Sequence, residues 1–323
     1  MTHTFKTSLI SSTATGLLLA MGVTYAPIAA AGETCVTDIS TTTGVSIVVT
    51  SVTANDSGAT ANADVDAFAC GQGADAGGVQ STALGADTDA TGENSVAIGW
   101  LADATAVNAI AVGRSSNADA PQALAVGTFA QATGQDSVSL GGGTSALNSA
   151  RATGNQSIAI GGGSGSTNEV GALASGNDSI AIGSQASAAF TNGVAVGSNS
   201  SVGASNASAF GRSANAVGAS ATALGFNTQA MGQSSTAVGS GADAMGVSST
   251  AVGSGADAMG ANSTALGAGS DATGERSTAL GINTTAGANF STAVGDNAEA
   301  AGLLSTSLGV NTCLLYTSDA ADE

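Results

Sequence analysis

Lysine and histidine are almost missing from this chain: Lys6 and His3 are the single examples in 323 residues, and both stand near its start. That absence removes histidine-based triads, a phosphate-loop lysine and Schiff-base chemistry together. Aspartate pairs remain, but an acidic repeat places carboxylates side by side for geometric reasons alone, so no enzyme, catalytic residue or cofactor is expected. Positive charge is scarce in general, five Lys and Arg against 23 Asp and Glu, for a net charge of −18. Such a surface repels nucleic acid and anionic membrane, and neither is expected as a partner. Aromatic residues make up 3% and charged residues 9% of the chain. With so much Gly, Ala, Ser and Thr, that composition ordinarily denotes disorder or low complexity.

What is present contradicts disorder. A glycine closes a short Ser/Ala-x-Ala-Leu/Val/Ile-Gly string at Gly85, Gly99, Gly113, Gly127, Gly141, Gly161 and Gly183, and then at every fourteenth residue to Gly309. Thirteen of the fifteen intervals are fourteen residues long; the others, twenty and twenty-two, carry insertions at 142–147 and 164–170. A fixed period of this kind denotes one supersecondary unit stacked many times.

The two ends differ from the repeat. Lys6, the apolar run Leu17–Val23 and the Ala29-Ala30-Ala31 site before Gly32 form a secretory signal over 1–31, cleaved between Ala31 and Gly32. The run is too short to span a bilayer. Residues 32–66 are expected to form an N-terminal cap with a strand at Val45–Val49, and 67–312 the repeat domain. The tail 313–323, Cys-Leu-Leu-Tyr-Thr-Ser-Asp-Ala-Ala-Asp-Glu, resembles the translation of a transposon adapter used in sequencing libraries, and is expected not to be native. Setting both ends aside leaves four arginines against twenty acids, a charge of −16, and one cysteine pair, Cys35 and Cys70. In an exported chain that pair suggests a disulfide tying the cap to the first repeat.

Within one unit, the residue before the glycine is always large and apolar, from Leu84 and Ile98 to Leu308. The residue two earlier is aliphatic from Val96 to Val194 and threonine from Thr222 to Thr306. Period-two alternation places both rows on one strand face, with Ser or Ala, Ala and Gly on the other. Hydrophobicity predicts that the large rows are buried and that the small face is free to meet another chain. A second small row lies five residues after each glycine, from Ala90 to Ala272, so each unit supplies two short strands and two turns. Seventeen glycine phases, counting Gly71, predict a rod of about 80 Å.

The strings Asn94-Ser-Val-Ala-Ile-Gly99, Gln156-Ser-Ile-Ala-Ile-Gly161 and Asp178-Ser-Ile-Ala-Ile-Gly183 resemble the YadA-like head repeat of trimeric autotransporter adhesins. The later Ser-Thr-Ala-Val/Leu-Gly copies look like drifted versions, and the resemblance covers 67–312; Ser139 and Ser307 replace the usual alanine. It implies an all-β fold, a left-handed parallel β-roll solenoid of fourteen-residue repeats, three chains per head, and display on a Gram-negative outer membrane. It also implies attachment to extracellular matrix protein or a cell-surface ligand. The family's neck, stalk and membrane anchor are absent from this chain, which the adapter-like tail explains.

Candidate contacts follow from the scaffold. Trp100 and Phe226 each follow a repeat glycine, Glu169 lies in the second insertion and Arg151 stands near the first, where loops on a rigid frame carry recognition. A polar row four residues after the glycine, including Asp89, Asp103, Asp243, Asp257 and Asp271, is expected to be solvated rather than to hold Ca²⁺. No metal site is expected. Met231, Met245 and Met259 stack at one phase and are expected in an interface between chains. Two alternatives to an adhesin are an ice-binding solenoid, through the Ser-Thr ladder from Ser235-Thr236 to Ser305-Thr306, and a ligand-free surface spacer. The inward placement expected for the threonines counts against the first.

Overall fold

A computed structural model describes residues 35–38, 59–61, 66–163 and 169–315. The signal segment with its Ala31–Gly32 site, the strand expected at Val45–Val49 and most of the tail lie outside them.

The repeats form a parallel β-solenoid without a helix among the described residues. Each coil contributes a three-residue strand that ends just before the repeat glycine, such as Thr236–Val238, and a two-residue strand four positions after it, such as Asp243–Ala244. The three-residue strands build a broad sheet of eighteen strands, all parallel except Cys35–Asp38, which pairs antiparallel with Ala67–Cys70 at the N-terminal end. The two-residue strands build a narrow sheet of fifteen strands, extended toward the N-terminus through Asp103, Asp89 and Asp75. Equal phases stand opposite one another: Leu224 pairs with Val238, and Val238 with Val252. The insertions do not disturb this, since Val138 pairs with Ile158 and Ile158 with Ile180. At the other end Cys313–Leu314 continues the narrow sheet beside Glu299–Ala300, because a backbone ladder accepts any side chain.

The period follows from two corners per coil. At each corner one residue sits in the left-handed region, as at Asn227 (φ 53°) and Ser234 (φ 56°). Asparagine recurs there because its short polar side chain tolerates that conformation. The repeat glycine itself is at φ 134° in Gly239, open only to a residue without Cβ, and a Cβ there would stand 2.3 Å from the Gly253 carbonyl oxygen. So the invariant glycine marks where successive coils touch.

The core is the reverse of the one that hydrophobicity predicts. Ala223, Ala237, Ala251 and Ala265, between the large residues, are fully buried, as are Ala230, Ala244 and Ala258 on the facing strand. The large residues point outward: Leu224 is 47% exposed and Leu266 44%. The reason is volume. Two sheets joined by corners of a few residues enclose a slot that a methyl group from each side fills, and close packing then leaves no room for leucine. Some inward hydroxyls are absorbed locally, Ser157 Oγ donating to the Gly154 carbonyl and Ser277 Oγ to that of Gly274, while others, such as Ser235 and Ser249, stand buried without a partner. Ser139, which departs from the usual alanine, donates to Ala150 O at 2.7 Å. With so thin an interior, inter-coil backbone bonds carry much of the order, such as Thr236 N–H to Ser249 O and Gly239 N–H to Leu224 O at 2.9 and 2.8 Å.

Candidate recognition surfaces

Turning the large residues outward makes the broad sheet an apolar strip. Its two ranks are the residue before each glycine and the residue two earlier, Val96, Ile110, Leu124, Val138, Ile158, Ile180 and Val194 in the N-terminal half. From Thr222 to Thr306 the second rank becomes threonine, also directed outward. Strands about 10 Å long along a rod of about 80 Å give this face roughly 800 Å², more than the largest apolar patch of an ordinary monomer. The small face expected to meet another chain is instead the sealed interior, and the objection to an outward threonine ladder disappears with it.

The narrow sheet presents the acidic row and, two residues on, the methionines. The carboxylates are half-buried rather than freely solvated, because side chains stacked at the coil spacing shield one another. Burial pushes the carboxyls of Asp89, Asp103, Asp243, Asp257 and Asp271 above the ordinary value, and neighbouring charges add to it: Asp75 beside Asp89, Asp89 and Asp119 beside Asp103, Asp271 and Asp243 beside Asp257. Among the described residues no group of three or more His, Cys, Asp or Glu could hold a metal ion. Met231, Met245 and Met259 lie exposed beside this row, on the face opposite the apolar strip.

The corner after the repeat glycine carries the aromatic residues. Trp100 is 50% and Phe226 48% exposed, at equal phases eight coils apart, so the fold does not bring them together. Each has an arginine as neighbour. The Arg114 guanidinium carbon lies 5.8 Å from the Trp100 ring centroid and 4.7 Å from that of Phe129; Arg212 lies 4.6 Å from Phe226. At the opposite corner Arg276 lies 5.5 Å from Phe290. Sequence reasoning missed these stacks, although Trp100 and Arg114, Arg212 and Phe226, and Arg276 and Phe290 are each fourteen residues apart. Arg151 stands half-buried in the narrow sheet, its Nε enclosed without a hydrogen-bond partner, rather than on a loop.

Both insertions leave from the corner that carries Trp100, and they touch each other. Asn148 Nδ2 donates to the Glu169 carbonyl, and Gly163 N–H to Asn148 O at 2.5 Å. Glu169 therefore takes part in a two-loop projection from adjacent coils. At the N-terminal end Cys70 is disulfide-bonded, and Cys35 stands directly opposite it in the ladder.

The YadA head domain repeat model matches residues 76–102, 104–130, 148–164, 174–200, 204–228, 216–242, 230–256, 244–270 and 272–298. The chain belongs to the YadA head family. The matches to that family skip 131–147 and 165–173, where the insertions interrupt the period. YadA-type repeats thus account for the regular coils, and the matches pass over most of the paired loops. A YadA head is an adhesin domain, in keeping with a rod whose chemistry lies on its outer faces. No curated protein matches the chain.

Proposed function

We propose that this chain is the head of a surface adhesin in which three copies pack through their broad sheets and display the narrow sheets, corners and insertions to host matrix or cells. The observation that carries the reading is the uncovered apolar strip on a chain of YadA-type repeats. Roughly 800 Å² per chain is the size of a standard protein–protein interface. Weak contacts repeated along the rod and across three chains then add through effective concentration. Export through the signal at 1–31 and display on the outer membrane complete the proposal. Light scattering of the purified protein should give three times the chain mass, and Leu224→Lys with Leu266→Lys should give monomers that no longer hold to matrix-coated surfaces. A wild-type monomer that still adheres would sink the trimer.

A bond between Cys35 and Cys70 would lock the antiparallel end strand over the first coil and blunt an otherwise open sheet edge. Reduction should then raise hydrogen exchange in residues 66–85 and leave distant coils unchanged.

One observation favours the ice-binding alternative: the threonine rank from Thr222 to Thr306 faces outward at regular coil spacing. That role uses the same face as the trimer, so the two exclude each other. Thermal hysteresis from a monomeric wild-type chain would select it.

A further inference from the structure

We propose that the corner built by Trp100, Arg114 and Phe129 is a receptor for a carboxylated sugar at the end of an otherwise neutral glycan; the proposal deepens the adhesin reading and rests on it. Two rings, on the coils to either side of Arg114, hold its guanidinium between them, at 5.8 and 4.7 Å from their centroids. The rings thus occupy two sides of the guanidinium, and the N–H groups that point away from them are the part left to a ligand. A guanidinium edge matches a carboxylate through two parallel hydrogen bonds. Stacking fixes the long side chain beforehand, so less rotamer freedom is lost on binding.

Charge sets this arginine, like Arg212, apart from Arg276. Among the described residues the one ion pair is Arg276 with Glu275, at 3.9 Å; Arg114 is exposed and has no carboxylate partner among them. An unpaired cation on a chain of net charge −18 attracts one anionic group while the wider field repels a polyanion. That excludes nucleic acid and heavily sulfated chains and favours a single acidic residue on a neutral carrier.

The aromatic side supplies the other half. Trp100 is 50% exposed, and the coil before it carries only Ala86 at the same phase, so no large side chain covers that side of the indole. The C–H face of a pyranose ring is apolar enough to stack there, as Trp and Arg together commonly anchor ligands. A ring stacked there lies about two coil spacings, roughly 10 Å, from Arg114 with the indole between them, so the carboxylate of the sugar reaches the guanidinium past the edge of the indole. On the far side of the stack the next coil adjoins Phe129 through its backbone: Gly143 N–H donates to Thr128 O at 3.0 Å, and Ser149 Oγ to Phe129 O. The other stacks lack this form. Arg212 and Arg276 each touch one ring, and Arg276 is already paired with Glu275.

The test uses the full chain and two soluble polymers, one carrying sialyllactose and one carrying lactose, with binding read by interferometry. The sialyllactose polymer should bind and the lactose polymer should not. Arg114→Gln and Trp100→Ala should each weaken binding at least about tenfold. Arg114→Lys should recover only part, since the charge returns without the fork, and Arg276→Gln should bind as wild type. Unchanged hydrogen exchange in the flanking coils shows that a variant has kept its fold. Equal binding of both polymers, loss in Arg276→Gln to the same degree as in Arg114→Gln, or indifference to Trp100→Ala would overturn the proposal; the last would point to an acidic peptide end instead. Adhesion to matrix or cells is measured in parallel. A head that adheres but ignores sialyllactose refutes the site alone, and one that does neither refutes the adhesin reading as well.

Discussion

Replacing Gly239 with alanine should be among the most damaging single-methyl additions this protein can receive, and replacing Gly241 two residues away with asparagine among the mildest. At Gly239 φ is 134°, and the new methyl would stand 2.3 Å from the carbonyl oxygen and 2.6 Å from the carbonyl carbon of Gly253. No side-chain movement relieves a backbone collision. The coils must part, loosening Gly239 N–H to Leu224 O and Gly253 N–H to Val238 O, both 2.8 Å. Backbone strain of about 1–3 kcal/mol and the weakening of two hydrogen bonds at about 1 kcal/mol each together cost about 3–5 kcal/mol. Gly241 differs in both respects: its φ is 65°, and an added Cβ would meet nothing within 4 Å. Asn227 and Asn283 occupy the same phase at φ 53° and 51°, so Gly241→Asn should change stability by less than about 0.5 kcal/mol. A stacked array does not unfold in one step, so native-state hydrogen exchange, read coil by coil, is the suitable assay. Protection over 225–266 should fall roughly a hundred- to a thousandfold in Gly239→Ala and stay near wild type in Gly241→Asn. Equal protection in the two variants would refute the close approach of coils at the repeat glycine.

Three further outcomes follow from the inverted core and the acidic row. Ala251→Leu, in a fully buried slot, should cost about 3 kcal/mol or more by thermal melting, whereas Leu266→Ala should leave coil protection intact and weaken only self-association. Ser249 Oγ is buried without a partner while Ser277 Oγ donates to Gly274 O at 2.7 Å; Ser249→Ala should be neutral or stabilising, and Ser277→Ala should lose about 0.5–1.5 kcal/mol in the same melts. For the aspartates, the folded-state pKa is raised, so the folded protein binds protons more tightly than the unfolded chain. Their destabilisation is complete above the folded pKa, shrinks as pH falls through it, and vanishes below the unfolded value of about 3.9. Melting temperature should therefore rise as pH falls toward that value, and Asp257→Asn should raise it at neutral pH and flatten the slope.

Much of the architecture was legible because stacking repeats one message. The spacing of the glycines sets the coil length, and the two long intervals mark loops that leave the strand register untouched, as the pairing of Val138, Ile158 and Ile180 shows. The facing of the strands was not legible from hydrophobicity, because that rule assumes a core with room for large side chains. Constancy of size is the better sign. The position before Val238 and its equivalents is alanine in nearly every coil, with serine only at Ser139 and Ser307, while the position before the glycine varies among Leu, Ile, Val and Phe. A sealed slot fixes volume; an outer face does not. The arginine–aromatic stacks were equally available as pairs fourteen residues apart, and were missed because each residue was weighed singly.

An interior made of identical methyl layers has a consequence for fidelity. Val238, Val252 and their neighbours see almost the same surroundings, so a coil threaded one period out of place would satisfy nearly every contact and merely leave fourteen residues looped out. Between Gly225 and Gly309 the rungs differ in scattered surface side chains and in the small residue at one buried phase, Thr228, Ala242, Ala256, Ser270, Thr284 and Ala298. The irregular coils do distinguish: the paired insertions, joined through Asn148, and the antiparallel strand over Ala67–Cys70 fit in one place only. They act as the indexing marks of an otherwise degenerate ladder, by which the chain counts its own turns.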